Sequence, residues 1–195
     1  MTIPLILLRI WNISSSTRCN MYITDQHITI RNAIAQDAPQ LTAWWNDGAV
    51  MAHAGFPNGL GITVEKVAES LATDSDDTRR RLILEYENNP IGEMCYRNEG
   101  NGIADIGIKI CEPDFQEKGI GRIALSMLIH YLFDRGYTKI VLDTDLENKR
   151  AQHVYEKLGF RKLRVNENSW KNQLGQWRSS VDYELTADTF HNFAV

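Results

Sequence analysis

The seven residues from Gln116 to Arg122, QEKGIGR, carry the densest chemical signal in the sequence. They lie between a predicted strand and a predicted helix. Glycines here let the backbone approach a ligand closely and turn its N–H groups toward it, and the helix start adds the positive end of a dipole. The pattern therefore predicts an anion site formed by Gln116, Glu117, Lys118, Gly119, Ile120, Gly121 and Arg122.

Two kinds of nucleotide-binding loop compete for this segment. A loop for ATP or GTP requires G-x-x-x-x-G-K-[ST], and no Lys-Ser or Lys-Thr follows these glycines, so that class is excluded. A dinucleotide-binding loop fits better, because Gly119, Gly121 and Ala124 match G-x-G-x-x-[GA] and Asp143 follows about 20 residues later, where a ribose-binding acid would lie. However, residues 112–118 separate the glycines from the strand, and no second βαβ unit follows.

A second motif follows at residues 147–160, ENKRAQHVYEKLGF. Q-x-x-G-x-G at 116–121 and this N-x-x-A-x-x-x-Y-x-K-x-G-F segment together resemble the two signature motifs of the GNAT superfamily of N-acetyltransferases. The resemblance extends from about His27 to Leu185, and the segments at 104–107 and 175–177 look most like the ribosomal-protein alanine and spermidine acetyltransferase branch. It implies the acyl-CoA N-acyltransferase fold and acetyl-CoA as the co-substrate that donates acetyl to a primary amine.

The resemblance also implies how the chain would hold the co-substrate. The loop at 116–122 would bind the pyrophosphate of coenzyme A. The strand before it would diverge from its neighbour, so that the backbone of Ile108, Lys109 and Ile110 pairs with the pantetheine arm; these residues are otherwise ordinary core positions. Asn148 would contact the same arm, although capping its own helix explains this residue equally well.

Tyr155 is the candidate acid. It shares a helix face with Ala151 and Leu158, which points it inward and makes a core tyrosine the simpler explanation. With the motif, its hydroxyl is expected beside the sulfur of coenzyme A, where a phenol of pKa about 10 can protonate the departing thiolate.

The attacking amine must lose a proton, because a primary ammonium with a pKa of about 10.4 is mostly protonated at neutral pH. Asp105 and Glu93 are the candidate bases, directly or through water. Asp105 is four residues from Lys109 on one strand face, so a structural ion pair is the alternative. Direct transfer from acetyl-CoA needs no acetylated cysteine intermediate, so Cys111 is expected to be buried and to serve core packing.

The acceptor is expected to enter opposite the pantetheine arm, past residues 49–61, the second helix and the strand ends at 81–105. An excess of acidic residues in this region would steer a cation into it. The span 65–105 contains ten acidic residues (Glu65, Glu69, Asp74, Asp76, Asp77, Glu85, Glu87, Glu93, Glu99 and Asp105) and only five basic ones (Lys66, Arg79, Arg80, Arg81 and Arg97). This favours a small polycationic amine, such as a polyamine or aminoglycoside. A solvated surface is the alternative, and an apolar wall of Trp44, Trp45 and Phe56 would instead suit a peptide N-terminus.

These residues require an α/β domain with a mixed, mostly antiparallel central sheet and flanking helices. The periodicity predicts the order β-α-α-β-β-β-α-β-α-β-β, with strands at 27–31, 81–86, 91–96, 103–111, 139–143, 161–170 and 176–185. Helices are predicted from an Asp37 cap to about 48, and at 63–71, 119–135 and 148–158, with a loop at 49–61. We assign 1–20 to a dispensable extension, 21–190 to one domain and 191–195 to a tail.

Composition limits the remaining functions. The formal net charge of −4 argues against a general nucleic-acid binder. Three scattered cysteines without C-x-x-C spacing predict neither a disulfide framework nor a metal site, and favour a reducing cytoplasm. The expected partner is a small-molecule or peptide amine, with no nucleic acid and no membrane, and a homodimer is compatible with the sequence. A module that binds acetyl-CoA without turning it over is the non-enzymatic alternative.

Overall fold

The computed structural model describes residues 21–194. This part of the chain forms eight strands, β1 (Tyr22–Asp25), β2 (Ile28–Asn32), β3 (Arg79–Tyr86), β4 (Asn89–Gly100), β5 (Ile103–Ile110), β6 (Lys139–Asp145), β7 (Arg161–Lys171) and β8 (Trp177–Thr186). Its α-helices are α1 (Ala38–Asn46), α2 (Gly48–Met51), α3 (Val64–Leu71), α4 (Ile120–Asp134) and α5 (Lys149–Lys157). Short 3-10 turns lie at Ala35–Asp37, Ala52–Ala54 and Pro113–Phe115.

The strands form one sheet in the order β1-β2-β3-β4-β5-β6-β8-β7. The β5–β6 pair is parallel and the other six pairs are antiparallel. The predicted fold class is therefore confirmed, and the predicted elements occur in the expected order.

Helices cover both faces of the sheet because successive strand residues point to opposite sides. Leu82 and Leu84 of β3 pack in the cluster that contains Leu128 of α4 and Leu158 at the end of α5. Ile83, between them, packs in the other cluster with Leu41 of α1 and Val67 of α3. The chain thus forms a three-layer arrangement around a single sheet.

Strands β5 and β6 diverge. Their parallel pairing covers only Ile103, Ala104 and Asp105, opposite Lys139, Ile140 and Val141. Both strands continue beyond this point, β5 to Ile110 and β6 to Asp145. The splayed strand predicted before the loop at 116–122 is therefore present, and it opens a gap in the middle of the sheet.

Three local predictions were wrong. The chain has an additional first strand, β1, whose four residues pair with β2 at the sheet edge and are too few for a clear periodic pattern. The predicted loop at 49–61 includes most of α2 and a 3-10 turn. Asp37 occupies the predicted N-cap position of α1, but its side chain makes no capping hydrogen bond, because its carboxylate binds the Arg31 guanidinium at 2.7 Å and the Ile34 N–H at 2.8 Å.

The predicted extension at 1–20 lies outside the described residues, and the proposed domain limits stay predictions. The C-terminal residues up to 194 lie against the body of the protein: the N–H of His191 donates to the Leu158 carbonyl at 2.9 Å, and the Arg122 guanidinium carbon is 4.3 Å from the centre of the Phe193 ring. No helix within 21–194 is long and apolar enough to cross a membrane.

Candidate active site

A cleft of about 1570 Å³ begins at the gap between β5 and β6. One wall comes from the end of β5, the loop at 116–122 and α5. The rest of the lining comes from the region of α2 and from β3, β4 and the β7–β8 hairpin. The sheet therefore brings the predicted co-substrate loop and the predicted acceptor region into one continuous space.

The loop at 116–122 has the geometry of an anion site. Gly119 precedes α4 with a φ of 80°, a left-handed conformation that side chains other than glycine rarely adopt, and a Cβ there would meet nothing within 4 Å. The N–H groups of Arg122 and Ile123 turn back to the Gly119 carbonyl, whereas the first N–H groups of a helix have no partner inside it. The open space beside Gly119, next to this helix N-terminus, leaves room for a phosphate.

Side chains hold this loop in place. Gln116 donates to the Ile110 carbonyl at 3.0 Å and accepts from Arg150 of α5 at 3.1 Å, which joins the loop to the two elements beside the gap. The Nε of Arg122 is buried without a hydrogen-bond acceptor in the described chain, and an anion could supply one.

The predicted co-substrate residues do not all face the cleft. Gln116, Glu117, Gly119, Gly121 and Arg122 line it, as do Ile108, Lys109, Ile110 and Asn148. Lys118 and Ile120 are outside its lining: the Lys118 ammonium lies 5.7 Å from the Phe115 ring centre, and Ile120 is buried in the core. The Ile120 side chain therefore serves packing, whereas the Lys118 side chain is exposed beside the loop and its predicted role stays a prediction.

Asn148 caps α5, which confirms the first of the two roles predicted for it, helix capping and contact with the pantetheine arm. Its Oδ1 accepts a hydrogen bond from the N–H of Ala151 at 3.2 Å, and the residue also lines the cleft.

We expect Asn148→Ala to lower the free energy of unfolding by about 1 kcal/mol, the usual loss for an N-cap, measured by urea denaturation. Asn148→Ser keeps a capping oxygen but shortens the side chain, and should restore most of this stability. If Asn148→Ser is stable but binds acetyl-CoA as weakly as Asn148→Ala, the residue also contacts the co-substrate. Unchanged stability in Asn148→Ala would contradict the cap.

Tyr155 lies at the boundary between the core and the cleft. Its ring packs against Phe160 and Tyr183, with ring centres 5.8 and 5.7 Å away, and only 7% of the residue is exposed. Burial, and then the nearby charges of Asp143 and Tyr183, raise the pKa of its phenol above the usual value. The hydroxyl is therefore protonated at neutral pH while the residue still lines the cleft, as a proton donor must be.

Both candidate bases form ion pairs: Asp105 with Arg97 instead of the predicted Lys109, and Glu93 with Lys109, for which no pairing was predicted. Asp105 and Lys109 do not pair; the partners lie across the strands, because Arg97 is opposite Asp105 and Glu93 is opposite Lys109 in the β4–β5 register. Glu93, 7% exposed, accepts from Lys109 at 2.7 Å and from the Trp45 indole at 2.9 Å. Arg97 binds Asp105, whose pKa is raised by burial and lowered by this arginine, with a net increase.

Asp143 is a cleft residue that is not among the catalytic residues predicted from the sequence, where it appears only as the ribose-binding acid of the dinucleotide alternative. The available signal was the alternation of Val141, Asp143 and Asp145 along β6, which places both acids on one face of a strand that otherwise reads as buried. Asp143 is exposed and lines the cleft, and its carboxylate forms no ion pair or hydrogen bond with another residue among 21–194.

The acceptor half of the cleft is walled by apolar side chains and closed by the β7–β8 hairpin. Trp45, Val50, Met51, Leu60 and Trp170 line this half. The Trp170 ring fills the space over Gly55, where a Cβ would lie only 2.4 Å from it. Beside this contact, Gln173 accepts from the Asn58 N–H at 2.9 Å and donates to the Gly59 carbonyl at 2.9 Å.

The expected acid-biased approach is wrong for these residues. Of the ten acids between 65 and 105, only Glu93 lines the cleft, whereas Arg79, Arg81 and Arg97 do so from the five bases. Several of the acids are taken up by ion pairs, including Asp74 with Arg81, Asp76 with Arg80 and Glu85 with Arg31. Cys111 is buried as predicted, and burial raises the pKa of its thiol to about 12.

The chain is similar to known acetyltransferases. The sequence profile of the Acetyltransferase (GNAT) family matches residues 56–160, just over half of the chain. A mycothiol acetyltransferase of Thermomonospora curvata is 27% identical over 125 residues, which are 64% of this chain and 42% of that protein. The chain thus spans less than half the length of the curated relatives that it matches.

Solved structures share the fold over most of the chain. A ribosomal L7/L12 alpha-N-protein acetyltransferase in complex with coenzyme A has a TM-score of 0.77 at 16% identity, covering 87% of this chain and 99% of that one. A spermidine N-acetyltransferase from Vibrio cholerae, in complex with coenzyme A and spermine, has a TM-score of 0.75 at 21% identity, covering 84% and 97%.

Proposed function

The chain belongs to the GNAT acetyltransferase family, and we propose that it transfers an acetyl group from acetyl-CoA to a primary amine by direct attack. One observation carries the proposal: the gap between β5 and β6 leads from a glycine loop at a helix N-terminus to a protonated tyrosine within a single cleft. The proposal places the reaction in the cytoplasm, with a small-molecule or peptide amine as partner and neither nucleic acid nor membrane involved.

Acetyl-CoA would lie along the gap. The residues that fit its pyrophosphate are Gln116, which fixes the loop, Gly119 and Gly121, which leave space before the helix N-terminus, and Arg122, which has an unused donor. Beyond Asp105, no described strand pairs with β5 on the β6 side. The backbone groups of residues 108–110 that point away from β4 would therefore pair with the amide groups of the pantetheine arm, apart from the Ile110 carbonyl, which accepts from Gln116.

The transfer needs one group that receives a proton from the amine and one that gives a proton to the thiol. The amine nitrogen attacks the thioester carbon, the C–N bond forms and the C–S bond breaks. Tyr155 gives its phenolic proton to the departing thiolate, and the proton that the nitrogen then loses restores the phenol. Glu93 and Asp105 remain proposed bases, although the ion pair of each with a cation would have to loosen for it to accept a proton.

The acceptor can be tested through the salt dependence of its turnover. Because the acids of the 65–105 span are mostly outside the cleft, we expect kcat/KM for spermidine to change only a few-fold between low and high salt. Free-thiol release would be measured with spermidine, an aminoglycoside and an N-terminal alanyl peptide. A fall of about ten-fold or more for the polycations alone would restore the steering argument. Binding of acetyl-CoA without thiol release from any amine would favour the non-catalytic module.

A further inference from the structure

Asp143 has an unusual position for a residue in the interior of a sheet. Its strand β6 has β8 on one side, with Asp182 opposite Asp143, but the pairing with β5 on the other side ends at Val141. Ile140 and Leu142 pack in the cluster that contains α4 residues, so the alternation of the strand places the Asp143 side chain on the other face of the sheet, beside the point where β5 and β6 part. It is exposed there and lines the cleft.

Asp143 is also the cleft acid whose charge no cation neutralises within the described chain. Four acids line the cleft. Glu93 pairs with Lys109 at 2.7 Å, Glu117 with Arg150 at 3.7 Å and Asp145 with Arg178 at 2.8 Å. Asp143 has no such partner.

The charged groups around Asp143 disfavour the ionised form of its carboxyl group. Asp105 on β5 and Asp182 on β8 repel its charge, and Tyr155 on α5 is close enough to be affected by it. Arg97 offsets part of this, but it binds Asp105 directly, and Asp182 is held by Arg164 and Asn166. Although the residue is exposed, the surrounding protein removes part of its hydration, and this partial desolvation, followed by the charges of Asp105 and Asp182, raises the pKa of Asp143. A cation entering the gap would relieve the repulsion.

We propose that Asp143 binds the ammonium group of the acceptor and takes its proton. This inference rests on the proposed amine acetylation and adds a residue to it. The ammonium gives one proton to the Asp143 carboxylate, which passes it to solvent, and the nitrogen lone pair becomes free to attack. The second proton leaves the nitrogen when the amide forms and restores Tyr155, so the reaction releases one proton for each acetyl group transferred.

Asp143→Asn tests this with little change in shape. At neutral pH we expect kcat/KM for the amine to fall about 10²-fold or more, and the affinity of acetyl-CoA to stay the same. In the wild type, kcat/KM should fall as pH drops through the raised pKa of Asp143, because only the carboxylate accepts a proton. In Asp143→Asn, the deficit should shrink toward high pH, where the amine enters already neutral.

Binding provides a readout independent of turnover. Calorimetry with spermidine on the coenzyme A complex should show affinity about ten-fold or more weaker in Asp143→Asn, because a charge-assisted hydrogen bond is lost. Asp143→Glu should restore part of the kcat/KM and part of the spermidine affinity that Asp143→Asn loses. The matched control is Glu167→Gln, which removes one negative charge from an exposed position of β7 outside the cleft. It should retain the wild-type kcat/KM and spermidine affinity.

The outcomes separate the two proposals. Wild-type protein that binds amine in an Asp143-dependent way but releases no thiol would overturn the proposed function and keep this inference. Active protein in which Asp143→Asn stays within two-fold of wild type, or loses activity equally at every pH, would overturn the inference alone. Protein that neither binds nor acetylates any amine would overturn both.

Discussion

Replacing Gly121 with glutamate is expected to abolish acetyl-CoA binding while leaving the fold intact. A Cβ at this position would touch only Ile108 and Ile110, each at an ordinary 3.9 Å, and a carboxylate in the first turn of α4 is favourable for the helix. The same carboxylate would occupy the place proposed for the pyrophosphate and repel it. Juxtaposed like charges cost several kcal/mol, so affinity measured by calorimetry should fall by more than about 10²-fold.

Two companion variants make this result specific. Gly121→Ala adds only the tolerated Cβ and should bind acetyl-CoA nearly as well as the wild type. Gly121→Gln matches glutamate in size without its charge, and separates repulsion from obstruction of the site. Unchanged acetyl-CoA affinity in folded Gly121→Glu would refute the assignment of the loop, and binding of NAD or NADP instead would favour the dinucleotide alternative.

Tyr155→Phe is expected to keep the fold and the acetyl-CoA affinity but lower kcat at a saturating amine concentration. The hydroxyl makes no hydrogen bond to another residue of the described chain, so its removal leaves no buried partner unsatisfied. Positioned proton transfer contributes about 10²–10⁴-fold. Because burial raises the pKa of this phenol, it is a weaker acid than a free tyrosine, and we expect a loss near the lower end of that range.

A matched control for Tyr155→Phe is Tyr183→Phe. Tyr183 packs against Tyr155 in the same aromatic cluster, but its hydroxyl bonds to Glu156 at 3.2 Å and it does not line the cleft. Its loss should affect stability more than turnover. Full kcat in Tyr155→Phe would show that the tyrosine serves only packing.

The sequence determined the features of this protein that depend on local order. The glycine loop at 116–121, the helix start after it and the capped helix at Asn148 are each specified within a few residues, because turn conformation, capping and helical periodicity act over such distances. Periodicity also predicted the strands and helices in their correct order, apart from the short β1 at the sheet edge and the four-residue α2.

The tertiary structure decided which charges meet in the cleft. Glu93 and Lys109, and Arg97 and Asp105, become partners through the β4–β5 register, and a strand's own alternation does not encode its neighbour's register. The exposure of Asp143 depends in the same way on where β5 and β6 part. Counting acids along 65–105 therefore gave the wrong charge for the cleft, because the sign of a surface depends on long-range pairing that composition cannot specify.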